Sequence, residues 1–224
     1  MAVDYRAAYE RCKAKPYAEC FRCPGGELCL DFSNSGQGIR GAEAKERIRD
    51  FGDLIDWLET SGSLSRRQAA ALRAAGERSP KAAQALWRRA LDFREAMARV
   101  FLAKAKGDAP RAEDLRLLEE EYARTAPYGR LKEAACGFRW TVDEQADVLE
   151  AALRPLVEST VSLLTSPRLA RVRRCGNDTC YWLFIDETKN CSRRWCEMAS
   201  CGNLMKVRRH RAKGLGRAAK AQHP

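Results

Sequence analysis

The chain has 224 residues, of which 45% are hydrophobic and 32% are charged, and its formal net charge at pH 7 is +11. No apolar run approaches the roughly 18–20 residues that a membrane-spanning helix needs, and the start lacks the apolar core of a secretory signal. We therefore expect a cytoplasmic protein with no membrane partner, whose ten cysteines are thiols or metal ligands rather than disulfides. Two histidines, both near the C-terminus, leave little room for histidine-based catalysis.

The positive charge is concentrated at the C-terminal end of the chain. Residues 168–224 contain 14 Lys and Arg but only 4 Asp and Glu, whereas residues 1–167 contain 27 and 26. A nearly neutral body with a strongly basic end is typical of proteins that bind a polyanion, with nucleic acid the first candidate and an anionic membrane surface the second. The alternative is a solvated tail that only keeps the protein soluble.

Periodicity predicts a mostly helical body with a small antiparallel sheet, an α+β fold class. A short strand is expected at Leu28–Phe32 and a β-hairpin at 130–142. The predicted helices are, in chain order, 43–60, 65–75, one from Pro80 to Gly107, one that starts at Pro110, and one over 143–164 with a kink at Pro155. A boundary at Ser166-Pro167 separates residues 1–167, which we expect to fold without a metal, from a small module at 168–224.

The C-terminal module contains cysteines with the spacing of a metal site. Cys175, Cys180, Cys196 and Cys201 form the pattern C-x4-C-x15-C-x4-C, in which two close pairs can supply the four thiolates that zinc prefers. We expect a strand at 181–185 and a turn at 186–190, which would place a hairpin between the pairs, and a helix after the last cysteine. Because about 45 residues bury too little surface to fold alone, the sequence predicts one structural Zn²⁺ per chain.

Cys191 also lies between the two pairs and could replace one of the four ligands. Pairing Cys191 with Cys196, however, would leave Cys201 unused. We interpret Cys191 as a spare thiol.

These residues carry a resemblance to a known family. The segments Val172-Arg-Arg-Cys175, Cys180-Tyr-Trp-Leu-Phe-Ile-Asp186, Ser192-Arg-Arg-Trp-Cys196-Glu-Met198, Cys201-Gly-Asn203 and Lys206 resemble the CGNR zinc finger. In that family the finger follows an ABATE domain, a mostly helical module of bacterial proteins described as transcription regulators, some of them stress-induced. The body resembles that domain through Leu28-Cys-Leu-Asp-Phe32, Asp53-Leu-x-x-Trp57-Leu58, Trp140 and Ser162-Leu-Leu-Thr-Ser166. One departure is Leu204, which stands where the motif of the family has Arg.

Basic side chains surround the second cysteine pair and fill the predicted helix. The candidate nucleic-acid contacts are Arg193, Arg194, Lys206, Arg208, Arg209, Arg211 and Lys213. On a helix, Lys206, Arg209 and Lys213 would share one stripe, with Arg208 and Arg211 on the next, and Leu204 and Val207 would face the zinc core. Such a helix suits a DNA groove, where phosphate contacts set the register, and we expect Arg193 and Arg194 to read bases or the minor groove. The alternative is that these arginines pack the finger against the body.

Two other motifs have weaker interpretations. Residues 36–41 fit G-x-G-x-x-G, but the next predicted element is a helix instead of a second parallel strand, so we interpret them as a glycine-rich turn. Cys12, Cys20, Cys23 and Cys29 could form a second metal or redox site, although only one C-x2-C pair is present. Asp31 is expected to cap or pair rather than to catalyse.

The sequence favours a transcriptional regulator whose finger binds double-stranded DNA. We expect its body to sense a small molecule or to mediate homodimerisation, and the protein to be nucleoid-associated. Two alternatives remain open, a zinc-finger adaptor that binds an acidic protein and a small-molecule enzyme with a pocket in the body. We predict no enzyme, because no P-loop, activated serine or H-E-x-x-H motif is present.

Overall fold

The computed structural model describes residues 25–36, 46–135, 137–143 and 148–221, with side chains up to 212 except that of Arg139. The helices are α1 (Leu28–Asn34), α2 (Phe51–Thr60), α3 (Arg66–Arg78), α4 (Pro80–Lys106), α5 (Ala112–Thr125), α6 (Val148–Ala151), α7 (Arg154–Leu164) and α8 (Asn203–Ala221). The strands are β1 (Gly129–Ala134), β2 (Gly137–Val142), β3 (Val172–Arg174) and β4 (Leu183–Ile185), paired antiparallel as β1–β2 and β3–β4. The α+β, mostly α fold class is confirmed. Among these described helices, none is both long and apolar enough to cross a membrane.

The helix boundaries follow local signals in the sequence. Ser65 forms a capping box with Gln68 at the start of α3, as the prediction of a helix from this residue requires. Pro80 opens the 27-residue helix α4, and Gly107 ends it with a left-handed φ of 84°. The hairpin predicted at 130–142 is confirmed as β1–β2, with Leu131 opposite Trp140.

One predicted element was of the wrong type, and two predicted helices have different bounds in the described residues. Residues 28–32 belong to helix α1 and not to a strand. The prediction failed because all seven residues of α1 are buried, so the sequence shows neither helical nor strand periodicity. The helix predicted at 43–60 begins only at Phe51, where the side chain of Asp50 accepts a hydrogen bond from the Asp53 N–H at 2.8 Å. The helix predicted over 143–164 is divided into α6 and α7, and Pro155 lies in the first turn of α7, where proline is tolerated.

The body has one core, built around α1 and α4. Leu30 and Phe32 of α1 are fully buried, and the Phe32 ring lies 4.9 Å from that of Trp57 in α2. α4 contributes Phe93 and Phe101 to the same cluster. Since α1 is buried on every side, the surrounding elements are positioned by their contacts with it.

Strand β4 joins the C-terminal module to this core. Val172, Leu183 and Ile185 belong to the body cluster, although they lie in the module predicted to begin at 168. The side chain of Asn34 in α1 donates to the Leu183 carbonyl at 2.8 Å and accepts from the Leu183 N–H at 2.9 Å. The Ile185 N–H donates to the carbonyl of Gly25. β4 is therefore bonded to β3 along one edge and to the start of the body along the other.

Candidate metal centre

The four predicted metal ligands lie together in the structure. The sulfur atoms of Cys175, Cys180, Cys196 and Cys201 are all within 4.8 Å of one another, and Cys180 Sγ is 3.8 Å from Cys196 Sγ. A tetrahedral zinc with Zn–S bonds of about 2.3 Å separates its sulfur ligands by about 3.8 Å. Both the donor set and its spacing therefore fit one structural zinc per chain.

The hairpin β3–β4 positions the first cysteine pair. Cys175 follows β3 directly, and its N–H donates to the Trp182 carbonyl just before β4, so the segment with Cys175 and Cys180 closes the hairpin. The expected hairpin between the two cysteine pairs was wrong, because β4 pairs with the strand before Cys175. The second pair is held by a helical turn, Met198–Gly202, that contains Cys201 and leads into α8.

Side chains and backbone groups around the sulfurs orient them. The Asn177 amide, which is buried, donates to Cys201 Sγ at 3.3 Å and accepts from the Thr179 N–H. The Cys196 N–H points to Cys175 Sγ at 3.5 Å. Hydrogen bonds of this kind to the ligand sulfurs fix the orientation of the thiolates and tune metal affinity. Sequence analysis missed Asn177, although the repeated Cys-Gly-Asn at 175–177 and 201–203 was a visible signal.

The two glycines of these repeats make room for one tryptophan. A Cβ added at Gly176 would lie 3.1 Å from the Trp195 ring, and a Cβ added at Gly202 would lie 3.1 Å from its other end and 2.4 Å from Met198 Sδ. The Gly176 N–H also donates to the Arg194 carbonyl at 2.8 Å. Close packing on Trp195 thus brings the two cysteine pairs together.

Hydrogen bonds among the thiols shift their pKa values in opposite directions. The pKa of Cys175 is lowered to about 2, because its thiolate accepts hydrogen bonds from the thiols of Cys180 and Cys196. Donating to Cys175 raises the pKa of Cys180 to about 12 and raises that of Cys196 as well. A divalent cation would replace these protons, so we expect zinc binding to release protons and to weaken as pH falls.

Arg193, one of the predicted nucleic-acid contacts, is bonded within the finger. Its guanidinium donates to the backbone carbonyls of Ile185, Trp195 and Cys196 and lies 4.3 Å from the centre of the buried Phe184 ring. The backbone N–H of Arg193 donates to the carboxylate of Asp186, whose pKa is lowered mainly by hydrogen bonding from Thr188. The structure thus places Arg193 between β4 and the second cysteine pair.

The other predicted contacts lie on the surface of the finger. The side chains of Arg194, Lys206, Arg208, Arg209 and Arg211 are exposed, and the guanidinium of Arg194 lies 5.2 Å from the centre of the Trp195 ring. Lys213 lies in α8, but its side chain is outside the described part of the chain. The expectation that Leu204 and Val207 face the zinc core was wrong, because they are 42% and 47% exposed. The contacts of α8 are mainly with the helical turn before it, Met198–Gly202.

The remaining cysteines lie apart from this cluster or outside the described residues. Cys191 is exposed, has a positive φ of 47°, and is not part of the four-cysteine group. Cys29 is buried in α1, where burial raises its pKa to about 12. Cys12, Cys20 and Cys23 and most of the 36–41 motif lie outside the described residues. Asp31 accepts a hydrogen bond from the Gly25 N–H at 2.7 Å, in line with a structural role.

Two family models cover most of the chain. The ABATE model, described as "Putative stress-induced transcription regulator", matches residues 26–167, and the CGNR zinc finger model matches residues 171–214. The chain belongs to the ABATE family and ends in a CGNR zinc finger. No curated protein matches it. The zinc site is therefore the metal centre of this finger, and the resemblance seen in the sequence is confirmed for both parts.

Proposed function

We propose that this ABATE protein is a transcriptional regulator that binds double-stranded DNA through its zinc finger. The observation that carries the proposal is a basic helix fixed to a metal centre. α8 begins two residues after the zinc-cluster residue Cys201, and the side chains of Lys206, Arg208, Arg209 and Arg211 are all exposed. Exposed cations on a helix that starts beside a metal centre can meet the phosphates of a DNA groove.

The charge of the rest of the chain supports the finger as the DNA-binding part. Residues 1–167 have 27 basic and 26 acidic side chains, so the field that attracts a polyanion comes from the C-terminal end. Within that end, Arg194 is the candidate for base or minor-groove reading, because its guanidinium is exposed beside Trp195. Arg193 contributes differently in this proposal, since its three carbonyl contacts orient the second cysteine pair and thus the start of α8.

The body supplies the sensing or dimerising half of the regulator in this proposal. A regulator of this kind acts in the cytoplasm, associated with the nucleoid, as a binding protein and not as an enzyme. Its signal would reach the finger through β4, which is hydrogen-bonded to α1 on the body side.

Fluorescence anisotropy with a labelled duplex, measured over a range of salt concentrations, tests DNA binding. For four to six neutralised phosphates we expect a slope of log K against log salt of about −4 to −5. Changing Arg208 and Arg209 to Gln should weaken binding to every duplex and reduce the slope by about two. Arg66→Gln with Arg67→Gln is the matched control, because both arginines are exposed on α3, in the body.

The result that overturns the proposal is zinc-loaded protein without duplex affinity at low salt. The same result would favour an adaptor that binds an acidic protein. The exposure of Leu204 and Val207 on α8, beside its cations, supports this alternative. An acidic protein with an apolar patch would match that mixed surface. If duplex binding is found, sequencing the DNA crosslinked to the protein in cells would identify its sites.

A further inference from the structure

An arginine near the β1–β2 hairpin is buried with few polar contacts to the described residues. The side chain of Arg154, at the first position of α7, is only 7% exposed. Among the described residues, no group accepts a hydrogen bond from its Nε or Nη1 atoms, which are both buried. Within the described part of the chain, the nearest carboxylate oxygen is on Glu158, 4.0 Å from Nε and beyond hydrogen-bonding distance. A buried cation without such a bond costs stability, so it calls for an explanation.

The chain makes room for the guanidinium. A Cβ added at Gly129 would lie 2.8 Å from Arg154 Nη2 and 3.0 Å from its Cζ. Gly129 has an ordinary φ of −78°, so the backbone conformation there does not require glycine. The glycine at this position therefore allows the close approach of Arg154.

Aromatic rings with exposed surface flank the same guanidinium. The Trp140 ring centre lies 5.5 Å from Arg154 Cζ and that of Tyr122 lies 5.9 Å away, yet these residues are 51% and 44% exposed. Leu131 is opposite Trp140 in the register, and Phe138 is two residues from Trp140 on the same strand face. Both are more than half exposed, so an apolar surface extends outward from the buried cation.

We propose that Arg154, Trp140 and Tyr122 form a binding site for a small aromatic carboxylate. The carboxylate would pair with the guanidinium at Nη2, which, unlike Nε and Nη1, is not among the fully buried unbonded atoms, in a charge-assisted bond. The ring would lie against Trp140 and the apolar hairpin face, where burying apolar surface adds affinity. The proposal deepens the sensing role proposed for the body and rests on that function for its biological meaning.

Isothermal titration of the full-length, zinc-loaded protein with benzoate tests the site. Acetate, which has the charge without the ring, and benzyl alcohol, which has the ring without the charge, should each bind at least tenfold more weakly. Arg154→Gln should weaken benzoate binding at least tenfold. Glu158→Gln should tighten it several-fold, because this change removes a competing carboxylate 4.0 Å from the guanidinium.

Trp140→Leu keeps the test decisive if Arg154→Gln fails to fold, since Trp140 is half exposed and its loss should spare the core. This variant should bind benzoate several-fold more weakly. Absence of saturable benzoate binding by the wild type, or benzoate binding that none of the three variants changes, would overturn the proposal. Because the titration contains no DNA, its failure would leave the DNA-binding proposal standing, and a lack of duplex affinity would leave the site standing.

Discussion

The body and the finger of this protein are stabilised in different ways. The body has a continuous core in which side chains such as Leu30, Phe93 and Phe101 are completely buried. In the described part of the finger, the second cluster has three buried members, Cys175, Phe184 and Cys196. Loss of one core side chain costs the body a few kcal/mol, whereas the finger depends on four sulfur atoms and one ion. A short segment can thus acquire a fixed shape from a bound metal ion, without a large core of its own.

Strand β4 belongs to both the body core and the cysteine cluster of the finger. Leu183 and Ile185 belong to the body cluster, and Phe184 between them belongs to the cysteine cluster, because successive strand residues point to opposite faces. Three consecutive residues thus contribute to both cores. Metal loss in the finger should therefore lower the stability of the body, and changes in α1 should lower the stability of the finger.

Removing the metal should have the largest effect. In Cys175→Ser we expect zinc to fall from one per chain toward zero, since three thiolates and a hydroxyl bind zinc far more weakly. Structural zinc supplies on the order of 10 kcal/mol to the folding of small fingers, so the finger should unfold. The helices of the body should persist, with a lower melting temperature because β4 loses part of its support. Elemental analysis measures the zinc content, and circular dichroism measures the helix content and the melting temperature.

Cys191→Ser is the matched control for zinc loss. Its thiol is exposed and outside the four-cysteine group, so zinc should stay near one per chain. Zinc loss in this variant would show that the ligand set is wrong. An unchanged melting temperature in Cys175→Ser would show that the two cores are not coupled through β4.

The sequence predicted the metal centre better than it predicted α1. Cysteine spacing specifies a zinc site directly, because four thiolates at C-x4-C intervals have few other uses. α1 gave no comparable signal, since its residues are buried on all sides and a short apolar run is ambiguous between helix and strand. The strand partner of β4 was also missed, as β3 has only three residues, Val172-Arg-Arg174, and two of them are charged. The contacts of Arg193 within the finger could not be predicted, because the carbonyl groups that it binds come together only on folding.

Breaking the bond between α1 and β4 should have the next largest effect. Asn34→Ala removes two hydrogen bonds and leaves the N–H and carbonyl of Leu183 buried without these partners. We expect the free energy of unfolding to fall by about 2–4 kcal/mol, measured by denaturant titration. Asn203→Ala is the control, because Asn203 is exposed and makes only a 3.3 Å contact with its own helical turn. Equal effects of the two changes would contradict the role of Asn34.

A change within the finger should affect the metal more than the body. Asn177→Ala removes the amide donor to Cys201 Sγ, which should weaken zinc binding by about 10- to 100-fold. Competition with a chromophoric chelator measures this affinity. The melting temperature of the zinc-saturated protein should change little, because the body core does not include Asn177. An affinity equal to that of the wild type would show that the Asn177 bond does not tune the site.

The smallest expected effect on stability is that of Leu204→Arg, which restores the residue of the family motif. Leu204 is 42% exposed in the first turn of α8, so the longer side chain meets no core and the free energy of unfolding should change by less than about 0.5 kcal/mol. If α8 lies in a DNA groove, the added cation should tighten duplex binding several-fold and make the salt slope steeper by about one. Anisotropy titrations at two salt concentrations measure both effects. The control for a general rise in non-specific electrostatic binding is Ala212→Arg, since Ala212 is also exposed on α8. A marked loss of stability would mean that Leu204 packs within the finger after all, and unchanged DNA affinity with intact stability would place that position away from the nucleic acid.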